Sequence, residues 1–334
     1  MSLVSLGDMA QSFMLRRHMG QVKADLALHT QEMTTGLITD IARRTDGDLG
    51  PLNAISASLA RLETLASVTS EMQLWSGAMQ SALEAIDNRA IELGPQLLSA
   101  ASARQSATFA AVSGEGEAAF LAAVGYLNTS LDGRALFGGV ATDHSPLPDS
   151  ASLLNQVAEV AQGATSVADL RDRLDTWFGP GGGFETAAWR GGAALEPVTI
   201  AQGETARLTP TALSDGIRDT LKGLALAALA GRDLPGPGID DKAAMLAAAG
   251  DTLIGSSGAR AALAADLGIT EQRIADAQTR NAAEMTALKF AESQIRAADP
   301  FEAASRVQEA ETQLQLIYTL TARLSGLSLA DYLG

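Results

Sequence analysis

The chain has no cysteine. That excludes a disulfide scaffold, a thiolate zinc or iron–sulfur site and a thiol nucleophile, and leaves the redox state of the compartment open. Histidine is scarce, with three in 334 residues, and aromatic residues make up only 4%. Positive charge is also short: 24 basic against 39 acidic side chains give a formal −15. The deficit is spread along the chain, as −1 over residues 1–50, −4 over 51–139, −6 over 140–260 and −4 over 261–334. No segment has the basic footprint that nucleic-acid backbones or anionic lipids require, so neither partner is expected. Long apolar runs are missing too. The longest, among them Leu224 to Ala230, fall far below the roughly 20 residues of a membrane span. The segment Met1 to Asp8 lacks a basic region and an apolar stretch, so no cleaved secretory leader is expected. Alone this reads as cytoplasmic, unless export uses an uncleaved signal.

What is present is apolar and small. Hydrophobic residues reach 46%, and most of them are Ala and Leu. Both are strong helix formers, and Ala lets helices approach closely. This composition points to an assembling helical protein rather than an enzyme. The length suggests about two domains.

The ends of the chain carry heptad stripes. Leu15, Met19, Val22, Leu26, His29 and Met33 alternate spacings of four and three on a first helix of some thirty residues. Gly36 and Asp46-Gly-Asp-Leu-Gly-Pro51 mark a turn-rich break. A long second helix follows Pro51, with Leu52, Ile55, Leu59, Leu62, Ala66, Thr69, Met72, Met79, Leu83, Ile86, Ala90 and Leu93 in its stripe. Gly94-Pro95 is expected to interrupt or kink it, and a third helix is expected from about Glu115 to Leu131. After Gly255, Ile274, Asn281, Met285, Leu288 and Ile295 keep heptad spacing. Asp299-Pro-Phe-Glu302 signals a helix start, with Asp as cap. The last helix carries Ala303, Val307, Ala310, Leu314, Ile317, Thr321 and Leu324, and Arg323 is its one charge between Thr312 and Ala330. So uncharged a helix requires a partner.

The middle differs. Trp177 to Phe184 is a Gly-rich loop, read as a flexible turn. Strands are expected at Glu196–Ile200 and Thr205–Leu208 around an Ala201–Glu204 turn. A helix is expected over Ile217–Ala230, and Leu234 to Gly238 reads as a linker. With heptads confined to the ends, residues 150–230 are expected to be replaceable by a short linker.

Candidate chemistry is thin. His18 and His29 are eleven residues apart, about 16 Å along a helix, too far to share a metal. They read as polar residues at a seam edge. His144 reads as an exposed loop histidine beside Asp143. Gly179-Pro-Gly-Gly-Gly183 lacks the Gly-Lys-Ser/Thr ending of a phosphate loop. Gly255-Ser-Ser-Gly258 is not a nucleophile elbow, and Asp46-Gly-Asp48 and Asp240-Asp241 do not continue as calcium loops. No catalytic, metal or cofactor residue is assigned. Asn281 is either a register-setting polar residue on its seam or an exposed one.

Four stretches carry a family resemblance. They are Gln31-Glu-Met-Thr-Thr-Gly36 with its turn and long second helix; Leu131-Asp-Gly-Arg-Ala-Leu-Phe-Gly-Gly-Val-Ala-Thr-Asp143; Leu267-Gly-Ile-Thr-Glu-Gln-Arg-Ile274; and Ile295-Arg-Ala-Ala-Asp299 with Gln313-Leu-Gln315 and the terminus Leu324-Ser-Gly-Leu-Ser-Leu-Ala-Asp-Tyr-Leu333. Over roughly residues 1–140 and 255–334 the chain resembles the flagellin superfamily. Its terminus is most similar to the hook–filament junction family within it. The resemblance implies export through the flagellar type III apparatus without a cleaved signal, an extracellular place in the flagellum, and self-assembly into a ring. It also implies contacts with other axial proteins (a hook-associated protein and flagellin) and an export chaperone on the C-terminal helix.

The expected fold is mainly α. Long antiparallel heptad helices from both termini form a coiled-coil rod, with a small mixed α/β domain inserted in the middle. The expected division is 1–139, 140–255 and 256–334. Assembly is expected to rest on Leu15, Met19, Val22 and Leu26, and on Val307, Leu314, Ile317, Leu320, Leu324 and Leu327. The function expected is a non-catalytic subunit of the hook–filament junction. Filament flagellin is the alternative, then a cytoplasmic coiled-coil scaffold, then an enzyme within residues 140–255. No cofactor is expected.

Overall fold

The computed structural model describes the backbone of residues 6–232 and 238–333, and side chains from Ser12 to 232 and from 238 to Arg323. Long helices run in from both termini, and only short strands occur in the middle, so the chain is mainly α as expected. It divides into two compact units, residues 1–62 with 283–334, and residues 63–282.

The first unit holds α1 (Leu6–Thr35), the single-turn α2 (Ile41–Arg44), the start of α3 (Gly50–Ala103), the end of α9 (Ser257–Arg296) and α10 (Pro300–Leu333). Helix α1 stops at Gly36, whose N–H donates to the Glu32 carbonyl at 2.8 Å. Its φ of +68° is a left-handed cap that glycine adopts without strain. Helix α10 starts as its sequence requires: Asp299 Oδ1 accepts the N–H groups of Phe301 at 2.8 Å and Glu302 at 3.2 Å. The two helices lie antiparallel. Glu32 faces Arg306, Val22 packs on Ala310 and Ile317, and Lys23 lies 5.8 Å from the Tyr318 ring.

The second unit takes in the rest of α3, α4 (Ser106–Leu127), the hairpin β1 (Ser130–Leu131) and β2 (Arg134–Ala135), α5 (Ser150–Gln162), α6 (Val167–Phe178), a π-helical turn at Phe184–Ala188, the hairpin β3 (Val198–Ala201) and β4 (Glu204–Ala206), α7 (Asp215–Leu229), α8 (Ile239–Gly255) and the start of α9. One continuous apolar core joins these elements, from Met72 and Met79 of α3 through Phe120 of α4, Leu154 of α5 and Leu224 of α7 to Ile274 of α9.

Several expectations are corrected here. Helix α3 runs through Pro95 without a break. Ala90, Leu93, Leu97 and Ala100 are all buried around it, and that burial outweighs the roughly 3 kcal/mol that an internal proline costs. Gly94 has a packing role, because Ile254 of α8 stands 3.0 Å from where its Cβ would be. Helix α4 begins nine residues before Glu115 and ends at Leu127, ahead of a hairpin turned by Asp132 (φ +50°) and Gly133 (φ +76°). The second hairpin falls where expected, although Ile200 bulges out of register. The Leu234–Pro237 part of the expected linker lies outside the described residues. Among the described residues no helix is long and apolar enough to cross a membrane.

Candidate assembly surface

The heptad residues of α1 and α10 face one another. Val22, Ala310 and Ile317 are buried, and Leu15, Met19, Leu26 and Leu314 are half-buried around them. Val307 is half-buried on the same stripe. This seam covers one face of each helix. Off the seam α10 keeps further apolar surface: Leu316 is 58% and Leu320 51% exposed, while the exposed Tyr318 lies toward Lys23 of α1. On α1, Phe13 and Met14 are open to solvent, and Met33 departs from its stripe to be exposed. The side chains of Leu324 and Leu327 lie outside the described residues. Thus seven of the ten expected assembly residues fall on the intramolecular seam and Leu320 falls off it.

The far end of this helix pair is stitched by its crossovers. Leu37 and Ala297 form an antiparallel bridge. The Ile38 N–H donates to the Arg296 carbonyl at 2.8 Å, and the Ala298 N–H to the Gly36 carbonyl at 2.9 Å. Below the bridge lies Glu32, 7% exposed. Its carboxylate accepts His29 Nδ1–H at 2.9 Å and the Thr39 N–H at 3.0 Å. Burial works against its charge. The His29 hydrogen bond, the Thr39 N–H and the electrostatic attraction of His29 and Arg306 outweigh that, and the carboxyl sits below its ordinary value. Sequence reasoning missed Glu32. The available signal was a His-x-x-Glu pair on one helix face four residues ahead of a glycine cap.

Most of the remaining candidates have structural partners. His18 is exposed. His144 is exposed as expected but held at both ring nitrogens, by Asp143 Oδ1 at 2.7 Å and the Arg190 carbonyl at 2.8 Å. The Gly-rich loop packs tightly instead of swinging freely: a Cβ on Gly182 would lie 2.1 Å from the Thr176 carbonyl, and one on Gly183 2.2 Å from the Trp177 indole nitrogen. Asn281 is buried, and its Nδ2–H donates to the Ile200 carbonyl at 2.8 Å, tying the second hairpin to α9. Among the described residues no three His, Asp or Glu side chains are grouped to hold a metal ion.

The first unit is therefore a pair of long terminal helices with an apolar seam between them and further apolar side chains left exposed. Residues 258–333, which span nearly all of α9 and α10, match the family model of the bacterial flagellin C-terminal helical region. No curated protein matches the chain.

Proposed function

We propose that the chain is a non-catalytic structural subunit of a bacterial flagellum, placed at the hook–filament junction and exported by the flagellar type III apparatus without a cleaved signal. The flagellin C-terminal match over residues 258–333 carries the flagellar reading. The junction assignment is supported by the Leu324-Ser-Gly-Leu-Ser-Leu-Ala-Asp-Tyr-Leu333 terminus. In this reading residues 1–139 and 256–334 bring the assembly helices, and 140–255 form the variable part. The seam of Val22 and Ile317 sets the α1–α10 pair. The open strip of Leu316 and Leu320 meets neighbouring subunits, the other axial proteins or, before export, a chaperone. Filament flagellin is the second reading, because the same C-terminal match supports it equally.

A deletion strain separates the two. Hooks without filaments, flagellin released into the medium and a few copies of this chain per flagellum are the expected result. A chain recovered in thousands of copies along the filament replaces the junction by the filament reading. The surface has its own test. Leu320→Asp leaves the monomer folded, because the side chain is already wet, and blocks incorporation, because the charge becomes desolvated between packed helices. Normal incorporation of that variant removes Leu320 from the assembly surface.

A further inference from the structure

Glu32 is the only charged side chain buried in the first unit among the described residues. It sits where three segments converge. His29 reaches it from its own helix, Thr39 from the crossover after α1, and the charge of Arg306 from α10. The crossover that it holds is the one hydrogen-bonded to residues 296–298, immediately before α10. Pulling Thr39 off the carboxylate loosens residues 36–39, and with them the strand-like bridge that anchors the start of α10.

We infer that Glu32 is a latch that makes the pairing of α1 with α10 conditional on an ionised carboxylate. The ionised group accepts two hydrogen bonds and faces a cation. Its protonated form cannot make the charge-assisted bond to His29 and loses the attraction of Arg306, which stays paired with Glu302. The charged neighbours are distributed so that no other buried group substitutes. Asp40, Arg43 and Arg44 come from the α2 segment, Asp299 from the turn before α10, and Glu302 with Arg306 from α10, these last two paired at 2.6 Å. All line a cleft of about 270 Å³ open to water. The Glu32 carboxyl is held below its ordinary value, so the folded state binds fewer protons than the unfolded chain. Its stabilisation is complete above the ordinary carboxyl range and is lost as pH falls through the folded value. The inference concerns contacts within one chain and stands whether or not the flagellar reading does.

Amide exchange of peptides from α1 and α10 tests it, with each rate divided by the unfolded-chain rate at the same pH. The full-length monomer is used, and tryptophan emission serves as a control, because Trp75, Trp177 and Trp189 all lie in the second unit. Between about pH 7 and about pH 3, protection of both helices in the wild type falls about tenfold or more while emission holds. Glu32→Gln has the low protection at both pH values. Asp299→Asn, which alters the cap of α10 and one charge of the cleft but neither hydrogen bond of Glu32, keeps the acid step. The latch is overturned if Glu32→Gln is protected like the wild type at neutral pH. It is equally overturned if that variant shows the wild-type acid step, or if Asp299→Asn abolishes it.

Discussion

Arg260 binds three helices with one guanidinium. Its Nε–H donates to Asp87 of α3 at 2.6 Å, and Nη1 donates to the Leu253 carbonyl at 2.9 Å, to Ser256 Oγ at 2.6 Å and to Thr220 of α7 at 3.3 Å. The arginine is 6% exposed, while Asp87 keeps about a third of its surface in water. Arg260→Met therefore takes a buried donor from the Leu253 carbonyl and from the Ser256 and Thr220 hydroxyls but lets Asp87 rehydrate. The expected loss is about 2–3 kcal/mol, below the roughly 3–5 kcal/mol of a wholly buried pair. Urea unfolding followed by tryptophan emission measures it. His144 offers a pH-dependent counterpart on the surface. The Arg190 carbonyl, then the Asp143 carboxylate, favour a protonated ring and raise its pKa. Its contribution is complete below the ordinary histidine value and is lost as pH rises through the raised one. Exchange of the Val140 and Gly192 amides, which close the neighbouring loops onto Ala193 and Gly138, should speed up over that interval. In His144→Gln it should show no such step.

Within elements, glycine serves packing more than turning. Gly116 of α4 faces α7 so closely that a Cβ would lie 2.6 Å from the Ala227 Cβ. Nine residues on in the same helix, Gly125 has nothing within 4 Å. Gly116→Ala should cost about 1–3 kcal/mol by forcing the helices apart. Gly125→Ala should stabilise by about 0.5–1 kcal/mol through backbone entropy. The pair of melting curves checks both signs. The same close contacts explain what could be read from the chain and what could not. The heptad stripes of α1, α3 and α10, the Asp299 cap and the β3–β4 hairpin depend on local spacing, and local spacing was enough to place them. The start of α4 is hidden because Gly114 and Gly116 look like loop residues, and only Gly116 shows its reason once α7 is laid against it. Pro95 looks like a break until Leu93 and Leu97 are seen buried on either side. Glu32 depends on Thr39 and Arg306, which lie on other segments, and no pattern along α1 announces them.

At the scale of the molecule, the expectation that residues 150–230 can be exchanged for a linker meets a continuous core. That segment supplies Leu153, Leu154, Val157, Leu170, Leu174, Phe178, Phe184, Ile200, Leu208, Ile217, Leu221 and Leu224, all buried, to the cluster that covers Phe120, Val124 and Leu127 of α4 and Leu253 of α8. Removing it returns α4 to water on its apolar face and strips α8 of α7, against which Gly223 and Leu253 are in close contact. Each large side chain so exposed forfeits about 1.5–3 kcal/mol. A handful of them equals the roughly 5–15 kcal/mol by which a domain is stable. The heptads at the ends of the chain do not offset this, because the seam of Val22, Ala310 and Ile317 belongs to the other unit. A variant with residues 150–230 replaced by a short linker retains Trp75 alone of the tryptophans, and Trp75 is buried in the native core beneath Arg134, 4.2 Å from its ring. Its emission is expected to move to the red, and cooperative thermal unfolding of the second unit is expected to disappear, while far-ultraviolet circular dichroism keeps the helical signal of the ends. A native-like blue emission with a sharp melt would show that α3, α4, α8 and α9 close a core without the segment, and that residues 150–230 are replaceable after all.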